Sequence, residues 1–280
     1  MEKGMHTVSI GSCTVSRKCP LTLISGPCII ESRDHAIECA DQLVSIVKGR
    51  PVQLVFKASY DKANRSSYHS FRGPGLEEGL AILQEIKDRF HIPVLSDVHL
   101  PGEVAAACSV LDVIQIPAFL CRQTDLVVEA ARTGKPLHIK KGQFMAPWDM
   151  KNIVEKARAA GNPNVILCDR GSSFGYNNLV SDMRSLAIMA TFGVPVSFDA
   201  SHSAQLPGGL GTSTGGQREF IPLLARCAIA AGIDALFLET HPKPAQALSD
   251  SSTVYPLDEL GTLLDTLLPL HSLMQHHGGP

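Results

Sequence analysis

Short runs of Val, Ile, Leu and Phe recur along the chain with amphipathic stretches between them, the pattern of parallel strands joined by crossover helices. Eight such runs stand out: Leu21 to Ile24, Val52 to Phe56, Pro93 to Leu95, Val113 to Ile116, Leu137 to Ile139, Val165 to Leu167, Pro195 to Phe198 and Ala235 to Leu238. The stretches between them carry helix punctuation. Ser32 is placed to cap a helix in which Ile37, Ala40, Val44 and Val47 share a face, and Leu76, Leu80, Leu83 and Ile86 repeat that spacing before Phe90. Pro101 and Pro147 sit where a first helical turn tolerates them, while Gly134, Gly161 and Gly232 sit where helices stop. No composition break marks a linker, so the pattern predicts an α/β fold with one domain over residues 1–280, a closed (β/α)8 TIM barrel. Residues 6–19 alternate weakly around Gly11-Ser12, which predicts a small hairpin, within residues 1–20, closing the bottom of the barrel. Gln205 to Gln217 and His241 to Tyr255 resist regular assignment; following late strands, they are expected to be mobile and to lie over the catalytic face.

Composition narrows the ligands. A chain of 280 residues with a formal charge of −2 has no global basic field for nucleic acid, so any cationic character is local and suits a small anion. The eight cysteines stand at irregular positions with no CxxC pair and no signal peptide before them, which points to reduced thiols in a cytoplasmic protein. No apolar run is long enough to span a bilayer, and Met1 to Lys18 lacks the character of a transit peptide.

In such barrels chemistry gathers at the carboxyl ends of the strands, and the residues that follow the apolar runs here are unusually polar. Two constellations emerge. Cys28, His202, Glu239 and, farther on, Asp250 offer thiolate, imidazole and carboxylate, a mixed set suited to Zn²⁺ or Fe²⁺. No local motif ties the four together, and a cysteine after a strand is equally readable as inert packing. The second constellation is Lys57, Lys62, Arg65, Lys141, Arg170 and Arg122, cations that would repel one another unless anions sit among them. Either a ligand set with two phosphates or internal neutralisation by Asp61, Asp97 and Asp169 meets that requirement. The densest part is Lys57 to Ser67, where lysines, an arginine, an amide and hydroxyls crowd behind a strand as an oxyanion clamp, or else form a solvated charged loop.

Long motifs then carry a resemblance. They are Ser25-Gly-Pro-Cys28 with Glu31-Ser32, Phe56-Lys-Ala-Ser-Tyr-Asp-Lys-Ala-Asn-Arg-Ser-Ser67, Ser70-Phe-Arg-Gly73, Gln115-Ile-Pro-Ala-Phe-Leu-Cys-Arg-Gln-Thr-Asp125, Lys140-Lys-Gly-Gln-Phe144, Arg170-Gly171 with Phe174-Gly-Tyr-Asn-Asn-Leu179, Asp199-Ala-Ser-His-Ser203 and Glu239-Thr-His-Pro242. Over roughly Leu23 to Leu257 the chain resembles the family of 3-deoxy-D-manno-octulosonate 8-phosphate synthases, which serve lipopolysaccharide synthesis. Members condense phosphoenolpyruvate with arabinose 5-phosphate and water and release inorganic phosphate. The resemblance implies that Lys141 and Arg170 hold the phosphate of phosphoenolpyruvate with the backbone at Ala118, that Lys57, Ser59 and Lys62 surround its carboxylate, and that Gln123 lines the same pocket. It implies that Asn64, Arg65 and Ser66 bind the sugar phosphate and that Asp97 lies near the sugar hydroxyls. The catalytic set it suggests is Lys62, His202, Asp97 and Cys28, with Glu239 a further candidate for proton transfer. Lys62 suits that work if neighbouring cations depress its pKa.

A related family, the 3-deoxy-D-arabino-heptulosonate 7-phosphate synthases, uses erythrose 4-phosphate and typically carries Lys-Pro-Arg-Thr where this chain has Lys62-Ala-Asn-Arg65. That difference favours the five-carbon acceptor. The resemblance also divides on metal use, for metal-independent members have asparagine where this chain has Cys28. It therefore implies a divalent ion (Zn²⁺, Fe²⁺, Mn²⁺ or Co²⁺) on Cys28, His202, Glu239 and Asp250. A homotetramer with active sites near subunit interfaces is implied as well, because the family's counterpart of Arg65 crosses an interface. A phospho-sugar sensor on the same barrel would need the cations but no metal shell. The tail from His271 to Pro280, with His276-His277, is read as a frayed terminus.

Overall fold

The computed structural model of the chain describes residues 7–65, 67–209 and 215–276. Eight parallel strands close into a ring: β1 (Leu21–Gly26), β2 (Val52–Lys57), β3 (Val94–Asp97), β4 (Val113–Ile116), β5 (Leu137–Lys140), β6 (Val165–Asp169), β7 (Val196–Asp199) and β8 (Ala235–His241). Each pairs with the next in sequence, and β8 pairs back onto β1 with Glu239 opposite Gly26. The principal helix after each strand is α1 (Arg33–Val47), α2 (Leu76–Phe90), α3 (Val104–Val110), α4 (Thr124–Arg132), α5 (Met150–Ala159), α6 (Arg184–Ala190), α7 (Ile221–Ala230) and α8 (Leu260–His276). The expected (β/α)8 barrel is the observed one.

The punctuation read from sequence is also present. Ser32 Oγ accepts the His35 N–H at 3.2 Å to start α1, and Pro101 and Pro147 open single 3-10 turns that lead into α3 and α5. Gly134, Gly161 and Gly232 follow helix ends with φ of +74°, +91° and +85°, a region that favours glycine.

Two apolar layers result from the period-two alternation of the strands. Outward residues such as Leu23, Phe56, Ile139 and Leu167 pack against the helices, whereas Ile24, Val55, Leu95, Val113, Ile166, Ala235 and Phe237 fill the barrel interior. The hairpin, Val8–Ile10 paired with Cys13–Val15, adds Val8, Ile10, Cys13 and Val15 to that inner layer and so plugs the amino-terminal end of the barrel. Burying each such side chain is worth roughly 1.5–3 kcal/mol. Thr22 and Gln53 hydrogen-bond at this plugged end and His138 pairs with Ser197 inside the barrel, while the charged inward residues Lys57, Asp97, Lys140, Asp199 and Glu239 stand toward the opposite mouth.

Most strands run one to three residues past the apolar runs that announce them, because Lys57, Asp97, Lys140, Asp169, Asp199 and Glu239 are themselves strand residues. The two irregular segments contain short pairings, Gln205–Leu206 with Gly215–Gly216 and Tyr255–Pro256 with Thr240 and His241. Residues 210–214 of the first lie outside the described ones. The tail is more regular than expected. α8 continues to His276 with His271 buried, whereas the His276 side chain and residues 277–280 lie outside the described part. Among the described residues no helix is long and apolar enough to cross a membrane.

Candidate active site

A cavity of about 530 Å³ opens at the carboxyl-terminal mouth of the barrel. Its walls include Lys57 and Glu239 from strand ends, Lys62, Asn64 and Arg65 from the loop after β2, Asp97 from β3, Ala118 after β4, Lys140 from β5, Arg170 after β6, His202 after β7 and Asp250 after β8. Both irregular segments reach it, through Gln205 to Gly208 and Ala247 to Ser251.

Four metal-ligand types converge on one side. Cys28 Sγ lies 3.1 Å from Asp250 Oδ2, and ligand atoms of Cys28, Glu239 and Asp250 lie within 4.8 Å of one another. His202 Nε2 stands 3.6 Å from Glu239 Oε2 and 3.8 Å from Asp250 Oδ2. Among the described residues Glu239 Oε2 is buried with no protein hydrogen bond, whereas its Oε1 is held by Lys57 Nζ at 2.5 Å. An orphaned carboxylate oxygen beside a thiol and an imidazole is what a divalent ion would satisfy, so these residues fit one. Burial first, then Asp250 and Glu239, raise the Cys28 pKa well above its usual value.

The imidazole is oriented from behind. Asp199 caps the single turn Ala200–Ser203, accepting the His202 N–H at 2.9 Å on Oδ1, while His202 Nδ1–H donates to Oδ2 at 2.6 Å. That fixes Nε2 as the free nitrogen facing Glu239 and Asp250. Lys140 ion-pairs with the same Asp199 oxygen and lies over the Phe237 ring, 3.1 Å from its centroid. Burial alone would raise the Asp199 pKa; His202 and Lys140 outweigh it and hold the carboxyl well below the ordinary range. The sequence holds this arrangement only as the spacing Asp199 to His202, one helical turn, and the motif reading passed over it.

The cations divide differently from expectation. Along β5, His138 and Lys140 face inward while Ile139 packs outward, so Lys141 points away from the cavity. Its Nζ is buried among Gly142 O, Met145 O, Gly171 O and Ser172 Oγ, 3.7 Å from Asp169. Lys140, not Lys141, is thus the lysine of that motif presented to a ligand. Arg170 lines the cavity as expected; its NH2 donates to Gln205 Oε1 at 2.6 Å, and its NH1 is buried without a hydrogen-bond partner among the described residues. Arg122 and Gln123 are exposed around the start of α4 and lie outside the cavity lining, where Gln115, Gln143 and Gln205 supply the amides.

On the other wall Arg65 donates from Nε to Phe71 O at 3.0 Å and from NH2 to Leu248 O at 3.1 Å, with Asn64 beside it. Ser66 lies outside the described residues. Ser59 is fully buried; rather than lining the cavity, its hydroxyl donates to Asp97 Oδ1 at 2.5 Å, while His99 holds Asp97 Oδ2 at 3.0 Å. The expectation of a depressed Lys62 pKa does not hold. Burial works in that direction, yet Cys28, Glu239, Asp97 and Asp250 outweigh it and raise the lysine above its ordinary value. Its neighbours in space include the carboxylates of Glu239, Asp97 and Asp250 rather than the cations adjacent to it in sequence, so Lys62 stays protonated.

Ring order gives the site its layout. Arg65 follows β2 and Arg170 follows β6, four strands apart in an eight-strand ring and therefore on opposite sides of the mouth. Cys28 follows β1, His202 follows β7, and Glu239 and Asp250 belong to or follow β8, so the metal-ligand cluster occupies the arc between the two arginines.

Comparison with known proteins identifies the family. The DAHP synthetase I family matches residues 8–276. A 2-dehydro-3-deoxyphosphooctonate aldolase of Geobacter metallireducens is 56% identical over 268 residues, covering 96% of this chain and 98% of that protein. Proteins of the same name from Protochlamydia amoebophila (53% over 274 residues, 98% of this chain and 100% of that protein) and Stenotrophomonas maltophilia (56% over 259 residues, 92% and 94%) are similarly close. With a match that runs through the whole barrel and its hairpin, the chain belongs to the DAHP synthetase I family.

Proposed function

We propose that the chain condenses phosphoenolpyruvate with D-arabinose 5-phosphate and water to give 3-deoxy-D-manno-octulosonate 8-phosphate and inorganic phosphate, a transferase step toward lipopolysaccharide. The observation that carries this reading is the pair of opposed arginines, Arg65 and Arg170, in one cavity with the Cys28, His202, Glu239 and Asp250 cluster on the arc between them. The name shared by relatives at 53–56% identity selects the octulosonate reaction over the heptulosonate one.

In this reading Lys140 and Arg170 hold the phosphate of phosphoenolpyruvate beside Ala118, and Lys57 and Lys62 face its carboxylate. Asn64 and Arg65 take the sugar phosphate, and Asp97, held by Ser59 and His99, accepts hydrogen bonds from sugar hydroxyls. Holding both substrates converts an encounter of a weak carbon nucleophile with an aldehyde into a near-unimolecular step. C3 of phosphoenolpyruvate bonds to the aldehyde carbon, water adds at C2, and phosphate departs by cleavage of the C2–O bond. The aldehyde oxygen gains a proton as the water loses one. Lys62, protonated and 4.0 Å from Glu239, suits electrostatic stabilisation of that oxygen rather than release of its own proton, because its pKa is raised. Arg170 NH1, without a protein partner, receives charge that develops on the leaving phosphate. A divalent ion on Cys28, His202, Glu239 and Asp250 would supply Lewis acidity toward the aldehyde oxygen or the attacking water. A cytoplasmic homotetramer completes the reading, with Arg65 near a subunit boundary.

The test is phosphate release from phosphoenolpyruvate with arabinose 5-phosphate or erythrose 4-phosphate, before and after chelation. Release with the pentose phosphate, suppressed by chelator and restored by a divalent ion, is expected. Preference for the tetrose phosphate would overturn the acceptor assignment, and indifference to chelation the metal assignment.

A further inference from the structure

Glu31 belongs to the motif that begins at Ser25, yet it does not line the cavity and has no part in the chemistry above. Its carboxylate is directed at the loop after β8. Oε1 accepts the Leu248 N–H at 2.8 Å, and His241 Nε2 faces the same oxygen at 3.3 Å, off the line of a well-formed hydrogen bond. His35, on α1, packs its ring against His241 with centroids 4.6 Å apart.

Glu31, His35 and His241 bring three potential ligand atoms within 4.8 Å, which invites a second metal site. The hydrogen bonding argues otherwise. His241 Nδ1 accepts the Lys243 N–H at 2.9 Å, so the proton of the neutral imidazole sits on Nε2, the nitrogen a cation would need. That proton faces Glu31 instead, making the trio an anion seat for one backbone amide.

The amide it seats is two residues from Asp250. Leu248 is gripped on both sides, its N–H by Glu31 and its carbonyl by Arg65 NH2 at 3.1 Å. Asp250 has φ of +49°, an unusual conformation for a residue with a side chain, and its carbonyl accepts from Thr253 N at 2.8 Å and Val254 N at 3.0 Å. A strained residue persists only where its surroundings over-determine it. The turn to Val254 fixes one side of Asp250, and the Leu248 clip fixes the other.

We propose that Glu31 is a positioning residue: by clipping the Leu248 amide it sets the loop that presents Asp250 to Cys28 and His202. The consequence for a bound ion rests on the metal reading above, whereas the clip itself does not.

Two measurements separate them. In metal-free protein, hydrogen exchange at the Leu248 amide should quicken about 10-fold or more in Glu31→Ala, and less in Glu31→Gln, which keeps an acceptor oxygen. Unchanged exchange overturns the proposal. In Co²⁺-loaded protein, the rate at which EDTA removes the ion should rise about 10- to 100-fold in Glu31→Ala, the range seen when partners of metal ligands are lost. Because Glu31 acts through Asp250, that increase should vanish when Asp250→Ala is already present. An equal increase in both backgrounds overturns the positioning role. Wild-type protein that binds no Co²⁺ refutes the metal reading, while the exchange experiment still judges the clip. Should Glu31→Ala fail to fold, Glu31→Leu, which also lacks an acceptor oxygen, carries both measurements, since an unaltered exchange and EDTA rate there would also overturn it.

Discussion

Asp234, at the amino-terminal end of β8, gives the sharpest stability prediction because its environment is unbalanced. Its Oδ2 accepts the Val196 N–H at 2.7 Å, but Oδ1 is buried with no hydrogen-bond partner among the described residues, and the residue is 4% exposed. Burial raises its pKa from 3.8 to about 6, against the opposing pull of the Val196 N–H and Arg17. Below pH 3.8 the carboxyl is protonated in both folded and unfolded chains and costs nothing. Between 3.8 and about 6 the unfolded chain gives up its proton first, so stability falls as pH rises, and above the folded pKa the loss is complete. A rise of about two pKa units corresponds to about 3 kcal/mol. Asp234→Asn keeps an acceptor for Val196 and removes the titration. Urea or thermal unfolding of both proteins from pH 4 to pH 8 should therefore show their stability difference moving by about 2–3 kcal/mol in favour of the variant as pH rises. A difference that stays flat across this range would refute the reasoning, whatever its absolute size.

Three further outcomes follow from the cavity. Lys140→Met should lower kcat/KM for phosphoenolpyruvate at least about 100-fold, while Lys141→Met should act chiefly on stability; the reverse ranking in steady-state kinetics would return the phosphate role to Lys141. Cys28→Asn should cut bound divalent metal sharply while leaving some phosphate release, and undiminished metal content by elemental analysis would remove Cys28 from the ligand set. Arg65→Ala should raise KM for the sugar phosphate about 10-fold or more with little change for phosphoenolpyruvate; equal losses for both would undo the division of the cavity.

The barrel was legible because each strand has an outer row of Leu, Ile, Val and Phe that must meet helices, and each helix repeats the complementary stripe. What the apolar pattern truncated were the strand ends, where an inward residue such as Lys57, Lys140 or Glu239 ends the hydrophobic run without ending the strand. The same limit explains Lys141. Two identical neighbours differ only in which face of β5 they occupy, and the phase is set by Ile139 packing outward. Motif resemblance brought Cys28, His202, Glu239 and Asp250 together, and the structure does place them in contact. It could not foresee the sign of the Lys62 shift or the partner of Glu31. Both depend on residues far along the chain that fold against them: Glu239 and Asp250 in one case, His241 and Leu248 in the other.

Charge pairing in the mouth carries an argument about how many anions it takes. Lys57 on β2 is matched by Glu239 on β8, Lys140 on β5 by Asp199 on β7, and Lys141 lies 3.7 Å from Asp169. Each of these lysines has a carboxylate partner, but of the three carboxylates that sequence put forward for internal neutralisation, among the described residues Asp169 alone forms an ion pair with one of these lysines, while Asp61 pairs with Arg72 and Asp97 is held by Ser59 and His99. Among the described residues Arg170 makes one hydrogen bond, to a neutral amide, and leaves NH1 unpartnered, with Asp199, Asp250 and Asp169 acting on it through space; Arg65 is held by the carbonyls of Phe71 and Leu248. Guanidinium groups match phosphate through paired donors, and carbonyl contacts leave their charge uncompensated. The strands that carry them, β2 and β6, face each other across the ring, so the two arginines enter the mouth from opposite walls. A sensor of a single monophosphate needs only one such arginine, whereas in the proposed reaction two phosphorylated substrates would engage both and bring their reacting carbons to the arc held by Cys28, His202, Glu239 and Asp250.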